Sequence, residues 1–276
     1  MESSVNKIGI CEWSLPIDGP YACKLAASLG IDGIQLNIGD AERGFPLSKK
    51  VVQEAWLEAS QETGVVFPSI AVRTTDYFSM MAPQGSEDRE TVMTAIYKAI
   101  DAAVAMNIPL VMIPQFVKSA IETEEDFQCV VKTLQEVCQA ALEKGIIIAT
   151  ENLLTVEELS RLFKEVDRPN LKLYFDTQNY YLNKGYDTPS LIEPLLPYIC
   201  EVHVKDGKGK DLSGALLGTG DTRFFESVNL LKENDYSGWF VSENYYDQKP
   251  LSQLNDDPSS IIREDIAILR QALNNE

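Results

Sequence analysis

Short apolar runs alternate with longer segments of helical periodicity eight times along the 276 residues. The first run, residues 8–13, precedes a helix near 21–29 that ends at Gly30, a natural left-handed cap. Residues 33–38 lead into a helix over about 48–63, closed by Gly64. The third strand is expected at 65–72, with its helix around 87–106, and the fourth at 110–114. The next helix begins near Thr123, where Thr-x-x-Asp approximates a capping box, and stops at Gly145. Residues 146–151 and 171–176 read as strands five and six, followed by helices at 156–166 and around 190–196. Strand seven is 199–204, then a long polar, Gly-rich loop and a helix at 224–233. Strand eight is 239–243, and a helix over about 259–273 closes the chain.

Strands alternating with amphipathic helices favour a parallel sheet built from βαβ units. Eight units with no linker-like break predict an α/β protein, a single (β/α)₈ TIM barrel domain over residues 1–276. Such a barrel typically takes about 250 residues. The competing fold, an open doubly wound sheet, would favour Gly-x-Gly-x-x-Gly after the first strand, and none is there. Gly218-Thr219-Gly220 follows strand seven and lacks the third glycine.

In a barrel of this type the chemistry sits at the carboxyl ends of the strands. Glu151 ends strand five, Asp176 ends strand six, strand seven carries His203, and Glu243 ends strand eight. Singly, each has a plain structural reading as a helix cap, a loop acid or a packed histidine. Together they put a metal-competent side chain at one height on four consecutive strands. Three carboxylates facing one cavity repel one another unless a cation neutralises them. Mixed oxygen and nitrogen donors without a thiolate suit Mn²⁺, Co²⁺, Mg²⁺ or Zn²⁺.

Charge narrows the partners. The net charge is −18, from 24 basic and 42 acidic residues. Such a surface repels phosphate backbones and anionic membranes, so neither nucleic acid nor membrane is an expected partner. Five cysteines at scattered spacing, with no CxxC pair, read as reduced thiols. No stretch approaches 18 apolar residues, and residues 1–7 are polar without an apolar signal region. The expected location is cytoplasmic.

Several segments resemble the sugar phosphate isomerase/epimerase superfamily, the xylose isomerase-like TIM barrels that include ketose 3-epimerases, inosose dehydratase and endonuclease IV. They are Ile8-Gly-Ile-Cys-Glu-Trp-Ser14, Gly30-Ile-Asp-Gly-Ile-Gln35, Glu151-Asn152, His203-Val-Lys-Asp206, Leu217-Gly-Thr-Gly220 and Gly238-Trp-Phe-Val-Ser-Glu243. The resemblance covers nearly the whole chain and implies that Glu151, Asp176, His203 and Glu243 bind one divalent ion. It also implies that Glu151 and Glu243 are the acid/base pair. Strands five and eight are three steps apart around the ring, so their ends approach a substrate from separate directions. Epimerisation needs that, because a proton leaves one face of a carbon and returns to the other.

Three positions depart from the ketose 3-epimerase pattern: Gln35 stands where many members carry glutamate, Asn179 replaces a frequent substrate-binding histidine, and Gly209, between Lys208 and Lys210, replaces an arginine. They bear on the substrate more than on the metal. Glu157 falls where those epimerases have a substrate-contacting glutamate, although an acid in a first helical turn is favoured anyway. Lys205 shares the inward face with His203 by strand period and is a candidate for polarising a substrate oxygen, with an ion pair to the site acids as the alternative. Lys208 is a candidate for a sugar phosphate, and Trp13 for an apolar wall against a sugar ring, as are Phe116 and Tyr245.

The expected function is a divalent-metal-dependent isomerase or epimerase of a sugar, sugar phosphate or polyol, working through a metal-stabilised enediolate. The alternative is a lyase of the inosose or keto-sugar dehydratase type. An endonuclease IV-like phosphodiesterase would need a histidine-rich site, and this chain has one histidine. A non-catalytic sugar-binding barrel is the remaining class. Barrels of this family often form homo-oligomers.

Overall fold

The computed structural model describes residues 6–274; residues 1–5 of the polar amino-terminal stretch lie outside it. Eight parallel strands hydrogen-bond in chain order and close on themselves, so the predicted barrel is the fold found. They are β1 (Lys7–Cys11), β2 (Gly33–Asn37), β3 (Ser69–Ala71), β4 (Leu110–Pro114), β5 (Ile147–Glu151), β6 (Leu171–Asp176), β7 (Ile199–Val204) and β8 (Trp239–Ser242). The described helices are α1 (Ala22–Ser28), α2 (Lys50–Thr63), α3 (Glu87–Met106), α4 (Glu124–Leu142), α5 (Val156–Val166), α6 (Asn179–Lys184), α7 (Thr188–Leu195), α8 (Phe224–Glu233) and α9 (Pro258–Asn274).

Strands covered by barrel interior on one side and helices on the other read as continuous apolar runs, and every residue of β4 is buried. Pairing of Pro114 with Glu151 puts the Glu151 carboxylate at the top of β5. Three of the helices start at side-chain caps. Thr123 and Asp126 form a full capping box on α4, Thr155 and Glu158 form another on α5, and Ser86 caps α3.

Four features differ from the sequence expectation. The third strand is only Ser69–Ala71, with Val66 making an isolated bridge to Gly33. Pro68 lies between them and has no N–H to give, which interrupts the ladder. The first and last strands end early, β1 at Cys11 before a 3₁₀ turn over Glu12–Ser14 and β8 at Ser242. The segment after β6 holds two helices, α6 and α7, where one was expected.

The described residues form two compact sets. One comprises residues 6–35, 59–66 and 174–274; the other comprises Leu36–Glu58 and Phe67–Leu173. β2 and β6 each run through both. The five cysteines form no disulfide, and among the described residues no helix is long and apolar enough to cross a membrane.

A buried polar network ties α9 to the loops above β7 and β8. Asp265 on α9 accepts from Leu217 N (2.7 Å), Asn244 Nδ2 (2.6 Å) and the Tyr246 hydroxyl (2.7 Å). Burial pushes its carboxyl up to about 6, against the downward pull of those hydrogen bonds. The sign follows from linkage. The folded chain holds this proton more tightly than the unfolded chain, whose carboxyl titrates near ~3.9, so the contribution of Asp265 is greatest at low pH and falls by about 3 kcal/mol as pH rises between ~3.9 and about 6. Asp265→Asn is expected to flatten the dependence of Tm on pH over that window in thermal melts. A slope identical to that of the unaltered chain would assign the proton uptake elsewhere.

Candidate functional site

Among residues 174–274 and 6–35, the carboxyl ends of β6, β7 and β8 bring Asp176, His203, Lys205 and Glu243 together in a buried cluster. Asp176 divides its oxygens between two tasks. Oδ1 accepts the backbone N–H groups of Gln178 (2.7 Å) and Asn179 (2.5 Å), which anchors the start of α6. Oδ2 faces Lys205 Nζ at 3.1 Å and His203 Nδ1 at 4.0 Å. Glu243 divides its oxygens likewise: Oε1 accepts from Trp13 Nε1 (3.2 Å), and Oε2 faces Lys205 Nζ at 2.5 Å and His203 Nδ1 at 3.4 Å.

Backbone contacts fix these side chains. Thr177 Oγ1 donates to the Lys205 carbonyl (2.9 Å) and accepts from Lys205 N (3.1 Å), while Glu243 N donates to the Val204 carbonyl (3.0 Å). The His203 ring is fully buried, packed against Tyr174 with centroids 4.2 Å apart and edge-on to Trp13 at 6.3 Å. Its other nitrogen, Nε2, lies 2.7 Å from Gln35 Oε1 and 3.4 Å from Cys11 Sγ.

Glu151 sits at the top of β5, 4% exposed, within a polar group that sequence reading did not assemble. Gln115, just past β4, donates its backbone N–H to the Glu151 carbonyl (2.7 Å), and its Oε1 accepts from Asn152 Nδ2 (3.1 Å) and the Thr150 hydroxyl. Asn152 Oδ1 in turn receives Leu154 N at 3.1 Å. These contacts set the backbone on both sides of the carboxylate.

The remaining expected residues divide. Trp13, half-buried, reaches the cluster through Glu243, and Lys205 lies inside it. Asn179 is buried and its backbone N–H touches Asp176, with Nδ2 of Asn183 donating to its carbonyl. Glu157 is exposed in the first turn of α5, and Lys208 is exposed in the loop after β7.

That loop is built around one buried acid. Asp206 Oδ1 accepts from Gly207 N (2.9 Å), Thr222 Oγ1 (2.8 Å) and Thr222 N (3.4 Å), and Oδ2 accepts from Gly218 N and Gly220 N (both 2.9 Å). The glycines are needed for space. A Cβ at Gly220 would stand 2.1 Å from Asp206 Oδ1 and 2.4 Å from the Gly207 carbonyl oxygen.

The donor set fits a divalent cation. Gln35 Oε1 can only accept, so His203 Nε2 carries a hydrogen towards it, and Nδ1 is the nitrogen turned towards two carboxylates. A neutral ring then points a lone pair at Glu243 and Asp176, an arrangement that a cation between them converts from repulsion to ligation. Lys205 already places one positive charge against the same two carboxylates.

Residues 23–272 match the model of the xylose isomerase-like TIM barrel family. The chain is 28% identical over 242 residues to the 2-epi-5-epi-valiolone 7-phosphate 2-epimerase of an Actinoplanes species, a match that covers 83% of this chain and 87% of that one. It is 29% identical over 156 residues to the inosose dehydratase of Bacillus thuringiensis, covering 49% of this chain and 52% of that one. The fold is shared with the IOLI protein, whose crystal structure holds a zinc atom, at a TM-score of 0.77 and 16% identity over 98% of this chain and all of the other. With its strand order, its strand-end residues and this match over nearly its full length, the chain belongs to the xylose isomerase-like TIM barrel family.

Proposed function

We propose that this chain is a divalent-metal-dependent epimerase or isomerase of a ketose, a ketose phosphate or a related cyclic polyol. The observation that carries the reading is the donor cluster. Asp176, His203 and Glu243 are buried together, with His203 Nδ1 3.4 Å from Glu243 Oε2 and 4.0 Å from Asp176 Oδ2, and the family resemblance adds Glu151, buried at the top of β5, as the fourth ligand. The zinc atom in the IOLI protein and the epimerase activity named for the Actinoplanes relative support it. When bound, a divalent ion supplies Lewis-acid stabilisation of the negative charge that develops on a substrate carbonyl oxygen.

The chain's own groups supply the rest. One of Glu151 and Glu243 removes the proton from the carbon next to the carbonyl, and the other returns a proton to the opposite face. No atom is gained or lost: return to the same carbon gives the epimer, and return to the neighbouring carbon gives the isomer. Lys205, with Nζ between Asp176 and Glu243, holds positive charge beside the reacting oxygens, and Trp13 orients Glu243 through its indole N–H. Asn179 and the exposed Glu157 and Lys208 are assigned to the substrate's outlying hydroxyl or phosphate groups.

A second reading is favoured by the inosose dehydratase match. The same proton abstraction followed by loss of a β-hydroxyl would release water instead of forming an epimer. Incubating the protein, loaded in turn with Mn²⁺, Co²⁺, Mg²⁺ and Zn²⁺, with keto-sugars, their phosphates and inososes in deuterated water separates the two. Epimer or aldose–ketose isomer carrying one deuterium supports the first reading; a dehydrated product supports the second; none of these products from any substrate refutes both. His203→Ala, analysed for metal by mass spectrometry, is expected to lose its bound ion, and an unchanged stoichiometry would break the four-ligand assignment.

A further inference from the structure

The chain contains one histidine, and it is held from both sides. Nδ1 faces the carboxylates of Glu243 (3.4 Å) and Asp176 (4.0 Å). Nε2 faces the Gln35 amide oxygen at 2.7 Å. That oxygen also accepts from the Cys11 thiol at 3.3 Å, and the same thiol lies 3.4 Å from Nε2. A second set of donors is therefore present behind the ring, since Cys11, His203 and Glu243 also offer ligand atoms within 4.8 Å of one another. The two sets demand opposite nitrogens of one imidazole. Ligation by Nδ1 serves the oxygen-rich set, and ligation by Nε2 serves the thiol.

We propose that Gln35 is a positioning residue for the metal centre: by accepting the Nε2 hydrogen of His203 it fixes the ring so that Nδ1 is the ligand nitrogen and the Cys11 side stays closed to the metal. The inference rests on the reading of the cluster as a divalent-metal site. The hydrogen bond an imidazole makes with one nitrogen determines which tautomer the other nitrogen presents. An amide oxygen does this without adding charge. The group behind the ring is then Gln35 and a thiol that is itself spent on the same oxygen, while all the negative charge stays on the side of Asp176 and Glu243. Gln35 is fully buried and lies on β2, paired with Cys11 of β1, so its amide cannot swing away without breaking packing at the strand ends. The same geometry accounts for Cys11 sitting beside a metal-competent histidine without being a ligand.

The solitary histidine makes the test direct. In a tag-free chain labelled with ¹⁵N-histidine, every imidazole resonance belongs to His203. With zinc bound, the proposal expects a slowly exchanging hydrogen on Nε2 and the metal on Nδ1. Gln35→Met keeps length and apolar packing but removes the acceptor, and is expected to weaken zinc binding by about 10- to 100-fold and to speed exchange of the Nε2 hydrogen. Gln35→Glu keeps an oxygen in place and is expected to restore affinity to within a few fold and slow exchange of the Nε2 hydrogen again, the exchange being the readout that a packing role alone would not move. Cys11→Ala is expected to change neither readout.

Zinc on Nε2 in the unaltered chain would overturn the proposal, whatever the variants do. So would a Gln35→Met protein that is folded and binds zinc as tightly as its parent. If the unaltered chain takes up no zinc, manganese or cobalt, the metal reading fails and this inference with it. If it takes up metal on Nδ1 regardless of residue 35, only the role of Gln35 fails.

Discussion

Replacing Glu243 by glutamine is expected to lower turnover by about 10²- to 10⁴-fold, on whichever keto-sugar the unaltered protein converts, while the barrel still folds. The substitution changes one oxygen for an NH₂ group at nearly constant volume. Oε1 can still accept from Trp13, so the side chain keeps its place beside β1. The other terminus changes in kind. An anion that faces Lys205 Nζ at 2.5 Å and His203 Nδ1 at 3.4 Å becomes a neutral group that neither takes up a proton nor ligates well. Truncating one partner of a buried charged pair also leaves the other uncompensated, so a modest loss of stability through Lys205 accompanies the loss of activity.

Two further measurements separate the causes of that loss. Asp176→Asn removes a proposed ligand but not a proposed proton carrier. If both variants lose metal and activity together, Glu243 acts through the ion. If Glu243→Gln retains metal and still fails to turn over, it acts on the proton. Glu151→Gln is expected to behave similarly from the opposite face. In deuterated water each glutamate variant should then exchange the substrate hydrogen of one epimer without forming the other. Wild-type turnover in Glu243→Gln would end the acid/base assignment.

The barrel could be read from the chain because each strand is a short apolar run and some helices announce their start, as Thr123 with Asp126 does. The strand-end positions of Asp176, His203 and Glu243 followed from the same count, since their place in the ring is fixed by register. What escaped depends on contacts distant in sequence. α6 has six residues, too few for periodicity, and is anchored by Asp176. Gln35 showed only as a departure from a family pattern; its partner His203 lies 168 positions away. Gln115 has no motif of its own and acquires meaning only from pairing of β4 with β5. Pro68 was the one legible warning that strand three would be short.

Asp206 stands in a segment that reads simply as His-Val-Lys-Asp, and its substitution is expected to have the largest effect on stability of any single change near the site. Asp206→Ala should cost about 3–5 kcal/mol, lowering Tm by roughly 10 °C in thermal melts. The side chain is fully buried and accepts from four backbone N–H groups and one hydroxyl, spread over residues 207–222. Alanine would leave all of them facing a cavity in which no other acceptor is placed for them. Asparagine would not rescue the loop, because its NH₂ would confront donors at one of the two oxygen positions. Gly220→Ala reaches the same end from the other side, since its Cβ would lie 2.1 Å from Asp206 Oδ1. The loop begins one residue beyond Lys205, so its release is also expected to admit protease between residues 207 and 221 and to raise KM more than it lowers kcat. A Tm within about 1–2 °C of the unaltered chain, with the loop still resistant to protease, would mean that Gln178 and the Ser213–Asn244 pair hold the loop without the acid.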